Sequence, residues 1–107
     1  MDKALGLVGL AKRAGKIAAG EGAVKDSIRF GKAYAVIIAS DASDNTRKNI
    51  TDSCKYYEVP YYIAYTKDIL GHAIGNNFNA AIAVLDKGFC ENIEKYLQQS
   101  IDGGDKL

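Results

Sequence analysis

The chain has 107 residues and is 48% apolar, which suits one small domain with its own core and excludes a disordered chain. Its longest uncharged apolar run, Ala33 to Ala39, is too short to cross a membrane. Two separated cysteines and a single histidine exclude a disulfide scaffold and a zinc site built from this chain alone, and the net charge of +1 excludes a strongly polybasic chain.

In chain order, residues 3–13 carry Ala4, Leu7, Val8, Leu10 and Ala11 at helical spacing, and Gly15 stops the helix. Ile17-Ala18-Ala19 is a short extended piece. A second helix spans Glu21 to Phe30, with Ala23, Val24, Ser27 and Ile28 on one stripe, and ends at Gly31. Tyr34 to Ala39 is continuously apolar and rich in β-branched residues, the pattern of a strand covered on both faces. Ser43 or Asp44 caps a helix to about Glu58, with Ile50, Cys54 and Tyr57 inward, and Pro60 bars its continuation. Tyr61 to Tyr65 is the next strand. Thr66 caps a short helix, Asp68 to Ile74, with Gly75 as its stop. Asn76-Asn-Phe-Asn79 turns the chain into a buried strand, Ala80 to Leu85. A last helix over about Lys87 to Ile101 presents Phe89, Ile93, Leu97 and Ile101. This alternation predicts an α/β/α sandwich in one domain over residues 1–101, with a flexible tail over 102–107. The opening residues do not match a secretory leader, so the expected compartment is the cytoplasm.

The glycine clusters are not nucleotide loops. Gly9 to Gly15 encloses five residues where a Walker loop has four, and Lys16 is followed by Ile17 rather than Ser or Thr. Gly20-Glu21-Gly22 lacks the third glycine of a dinucleotide fingerprint. No nucleophile, base and orienting partner come together in the pattern. His72 belongs on a solvent-facing side of its helix, Cys54 and Cys90 read as small core residues, and Asp41 and Asp44 read as helix caps. No enzyme, cofactor, metal or small-molecule substrate is expected.

The charge pattern points to an anion. Residues 1–32 carry a net +4 and residues 33–107 a net −3. Gly20 and Gly22 stand at a helix start, where unpaired N–H groups attract anions and missing side chains let a phosphate come close. Lys25 and Arg29 follow on that helix, and Lys12, Arg13 and Lys16 precede it. Arg47 and Lys48 occupy the first turn of the next helix, where the helix dipole disfavours cations unless an anion binds there.

Together, "LGLAKRAGKI", "GEGAVK", "IRFGKA", "VIIASDASDNTRKN", "LGHAIG" and "AVLDKGF" resemble the bacterial YlxQ-like ribosomal-protein homologues of the L7Ae/L30e superfamily. The resemblance covers residues 4–97. It implies a three-layer α/β/α sandwich with a mixed four-stranded sheet and, as function, binding of kink-turns in structured RNA without a cofactor. The RNA-reading motif of that superfamily, Gly-x-Asn-Glu-x-x-Lys, falls on Gly20 and sets Gly22, Ala23 and Asp26 at its Asn, Glu and Lys positions. Lys25 lies one residue off, about 100° around the helix, and Glu21 differs in register.

The expected partner is therefore structured RNA, including ribosomal RNA, with the ribosome or translation factors nearby and no membrane. The expected phosphate contacts are Lys12, Arg13, Lys16, Lys25, Arg47 and Lys48, with Gly20, Glu21 and Gly22 at the helix start and Phe78 stacking on an unpaired base. The alternative is a protein-interaction module on the translation or RNA-processing machinery, anchored by tyrosines such as those in Tyr61–Tyr65.

Overall fold

The alternation of helix and strand predicted above is present in the computed structural model, which describes residues 2–105. In order these elements are α1 (Lys3–Arg13), β1 (Ile17–Ala19), α2 (Glu21–Arg29), β2 (Ala35–Ile38), α3 (Asp44–Tyr57), β3 (Tyr61–Ile63), α4 (Lys67–Ala73), β4 (Ala81–Val84) and α5 (Lys87–Asp105). Helical backbone in α5 continues past the expected end at Ile101. Nothing there bars it, because glycine costs about 1 kcal/mol per helical residue but lacks proline's steric block. Residues 106 and 107 of the expected tail lie outside the described residues, as does the side chain of Ile101.

The sheet is mixed, in the order β1-β4-β2-β3. β4 pairs antiparallel with β1 (Ile17 opposite Val84) and with β2 (Ile37 opposite Ile82), while β2 and β3 run parallel (Val36 opposite Tyr61). The two central strands are buried along their whole length. Helices α2 and α3 pack together over one face, and α1 packs with α4 and α5 over the other. Ile28, Ile37, Ile38, Ile50, Leu70, Ile82, Ile93 and Leu97 form the largest buried pieces of the core. Full burial of such a side chain contributes about 1.5–3 kcal/mol.

Local chemistry sets the helix ends. Asp2 caps α1, its Oδ1 accepting from the Ala4 N–H at 2.7 Å; Ser43 caps α3 and Thr66 caps α4. Helix α3 ends at Tyr57, three residues before Pro60, and its C-cap Glu58 lies in the left-handed region at φ 58°. Two inward assignments need correction. Tyr57 is 41% exposed, because the last turn of α3 borders the groove beside α2 rather than the sheet. Ala23 is exposed, because the buried stripe of α2 is Val24, Ser27 and Ile28 and Ala23 lies about 100° around from Val24.

Candidate nucleic-acid interface

Strands β1, β2 and β3 all run toward one end of the sheet, so α2, α3 and α4 all start there. Backbone hydrogen bonds bind these starts into one surface. Gly20 N–H donates to Ala81 C=O (3.0 Å), Ala39 N–H to Ala80 C=O (2.8 Å), Ser40 N–H to Tyr65 C=O (2.8 Å) and Asn79 N–H to Lys67 C=O (3.0 Å). Asp41 does act as a cap, though for a neighbour: its Oδ1 accepts from the Lys67 N–H of α4 at 2.8 Å. Asp44 is the first residue of α3, and Ser43 is the capping residue.

Gly20 is the N-cap of α2 at φ 93°, a conformation suited to glycine, and no side chain there occupies the helix start. Glu21 joins α2 to α3. One carboxylate oxygen accepts from Thr46 Oγ1 at 2.8 Å and the other from Asn49 Nδ2 at 3.1 Å. Chiefly the Asn49 amide, then the Thr46 hydroxyl, with Lys25 adding a weaker attraction, hold the carboxyl below its ordinary value of 4.5, against a small opposing effect of burial. The ionised latch therefore contributes fully above that ordinary value and is lost as pH falls through the lowered one. The stability gap between the native chain and Glu21→Gln is expected to be constant near neutrality and to close on acidification below about 4.5. Urea melts across that range would show it; a gap that persists in acid would mean that the latch does not depend on the charge.

Beside this latch, Arg47 closes the first turn of α3 and Lys48, expected there too, opens the second, because the helix starts at Asp44. Arg47 Nη2 donates to Ser40 C=O at 2.8 Å, and its Nε is enclosed without a hydrogen-bond partner among the described residues. Lys48 pairs with Asp52 at 3.0 Å on the exposed face, a contact worth a few tenths of a kcal/mol and readily given up. Phe78 is 67% exposed in the loop before β4, at the same end. Lys25 follows Gly22 one turn into α2.

Not all the expected residues come together. Lys16 stands at the opposite end of β1 from Gly20, and Lys12 and Arg13 end α1, in the layer across the sheet from α2. Three residues of strand thus separate these cations from the helix starts by about 10 Å. The residues that sequence reasoning missed are Thr46, Asn49 and Lys67. Lys67 carries a signal like that of Arg47, a cation near a capped helix start, whereas Thr46 and Asn49 act through contacts that no local pattern carries.

The remaining reactive types are spent elsewhere. Burial pushes the Cys54 thiol up to about 11, and burial together with the Glu94 and Glu91 carboxylates pushes Cys90 up to about 12. His72 is exposed. Among the described residues no helix is long and apolar enough to cross a membrane, and no group of three or more His, Cys, Asp or Glu side chains could hold a metal ion.

Comparison with known proteins identifies the family. RNA-binding protein YlxQ of Bacillus subtilis (strain 168) is 42% identical over 87 residues, which cover 81% of this chain and 87% of that protein. Large ribosomal subunit protein eL8 of Thermoplasma volcanium is 32% identical over 102 residues, covering 94% and 84%. A solved structure of a protein with unknown function from Bacillus halodurans C superimposes with a TM-score of 0.88 at 34% identity, covering 92% of this chain and 99% of that one. The model of the ribosomal protein L7Ae/L30e/S12e/Gadd45 family matches residues 2–94, and the chain belongs to that family.

Proposed function

We propose that the protein is a non-catalytic, cytoplasmic RNA-binding protein that holds structured RNA, ribosomal RNA included, mainly by its phosphate backbone at the starts of α2 and α3. The observation that carries this reading is the Glu21 latch. It sets a glycine-lined helix start beside a second start bearing Arg47 and Lys48, so amides and cations share one surface. Phosphate contacts of this kind need backbone N–H groups and basic side chains, not base-reading ones. The relatives support RNA as the partner, one being named an RNA-binding protein and another a large ribosomal subunit protein. Gly22, Ala23 and Asp26 at the Asn, Glu and Lys positions of the superfamily motif argue for backbone readout over base readout of a kink-turn.

The alternative of a docking module is weakened at Tyr61–Tyr65, the tyrosines named for it, although Tyr34, Tyr56 and Tyr57 are exposed. Tyr61, Tyr62 and Tyr65 are half-buried, and the hydroxyls of Tyr62 and Tyr65 donate to Glu94 (2.7 Å) and Asp2 (3.0 Å).

The test is binding to a kink-turn RNA and to a matched duplex lacking the kink, over a salt series. Comparable affinities with a log–log salt slope of a few units are expected for a backbone reader. Binding to the kinked RNA alone would replace backbone readout with kink recognition. A flat salt response, or no binding to either RNA, would overturn the proposal.

A further inference from the structure

Because β1 and β2 are each antiparallel to β4, they are parallel to each other, and α2 and α3 return side by side from the proposed interface. Between them runs a groove of about 310 Å³ lined by Gly22, Lys25, Asp26, Arg29, Ser53 and Tyr57. It opens at Gly22, within the proposed phosphate contact, and from there to Arg29 α2 advances about 10 Å at ~1.5 Å per residue.

The lining has a definite chemical order. Lys25 makes no hydrogen bond or close ion pair among the described residues, and attracts the Glu21 carboxylate only weakly. Arg29 follows one turn later, oriented by Asp26 at 3.0 Å, with its guanidinium carbon 5.0 Å from the centroid of the Phe30 ring. At the far end Tyr57 is 41% exposed, and Tyr56 packs against it edge to face at 4.8 Å and 77°. Two cations in file followed by an accessible aromatic ring match a strand of phosphates with an unpaired base. A duplex has no free base face to offer Tyr57, and an amphipathic helix would need an apolar floor, of which this groove has only the one ring.

We propose that the groove takes an unpaired RNA strand leaving the structured RNA at the helix starts. Tyr57 stacks on a base of that strand, and Lys25 and Arg29 hold its phosphates. This inference rests on the RNA-binding reading and extends it from the helix starts along the α2–α3 groove.

The experiment compares the same kink-turn RNA with and without a single-stranded oligouridine extension, placed at the 5′ end in one version and the 3′ end in another. One of the extensions is expected to tighten binding about tenfold, the scale of one base–aromatic stack. Tyr57→Ser is expected to erase that gain and leave the affinity for the unextended RNA unchanged. The chain contains no tryptophan, so Tyr57→Trp supplies a single indole. Its fluorescence is expected to be quenched by the extended RNA and not by the unextended one. No gain from either extension, a gain that survives Tyr57→Ser, or an unquenched indole overturns the groove assignment while the binding of unextended RNA stands. Failure of the unextended RNA to bind at low salt overturns the underlying reading, and this inference with it.

Discussion

Reversing both charges at the start of α3, Arg47→Glu together with Lys48→Glu, is expected to weaken RNA binding on the order of a hundredfold at low salt and to flatten the salt slope by about two units. Each cation that neutralises a phosphate releases counterions worth about one unit of slope, and replacement by a carboxylate adds repulsion at the same spot. The fold is expected to survive. Lys48 loses only an exposed pair with Asp52, in which both side chains are more than half exposed. Arg47 gives up its bond to Ser40 C=O, a loss of about 1 kcal/mol. A carboxylate at 47, which closes the first turn of α3, recovers about 0.3–1 kcal/mol from the helix dipole, while one at 48 costs a few tenths of a kcal/mol against Asp52, so the net loss is about 1 kcal/mol at most. Thermal melting should therefore shift by no more than a few degrees while affinity falls. Unchanged affinity would move the contact away from α3, with Lys12, Arg13 and Lys16 at the other end of β1 as the next cations to reverse.

The contrast between α3 and α1 shows which parts of the interface a sequence can carry. Buried strands such as Ala35–Ile38 and Ala81–Val84 are legible because continuous apolar, β-branched runs have few other ways to be covered. The caps Ser43 and Thr66 are legible because each bonds to a residue three positions on. Glu21, Thr46 and Asn49 meet across separations of 25 and 28 residues, and Asp41 reaches Lys67 across 26. Such pairings depend on which helix starts share an end of the sheet, and that is decided by the direction and order of the strands rather than by neighbours in the chain. The same reason separates Lys12, Arg13 and Lys16 from Gly20. They are close in sequence, yet a three-residue strand carries the chain from one end of the sheet to the other between them. Tyr57 fits the helical stripe of Ile50 and Cys54 and still faces outward, because α3 packs against α2 along the groove where that ring emerges.

Replacing Gly71 by alanine is expected to destabilise the protein by about 2 kcal/mol and to lower its melting temperature by roughly 10 °C, although the substitution favours helix locally. Gly71 is buried in α4. A Cβ there would stand 2.7 Å from the Phe78 nitrogen and 2.8 Å from the Asn77 carbonyl carbon and oxygen. These are backbone atoms of the facing loop, so no side chain can swing aside, and the loop or the helix must move. Alanine recovers about 1 kcal/mol of helix propensity, which the cost of overpacking against backbone exceeds. The loop has little slack, since Asn76 N–H donates to Gly71 C=O (2.8 Å), Asn79 N–H to Lys67 C=O (3.0 Å) and Ala81 N–H to Asn79 Oδ1 (3.2 Å). Displacing it also shifts Phe78, so RNA affinity is expected to fall at temperatures where the variant is still folded. Gly6 is the matched control: it lies in α1, a Cβ there meets nothing within 4 Å, and Gly6→Ala should raise stability by up to about 1 kcal/mol. If Gly71→Ala and Gly6→Ala both melted at or above the native temperature, the Leu70-to-Gly75 segment would owe its glycine to something other than this backbone contact.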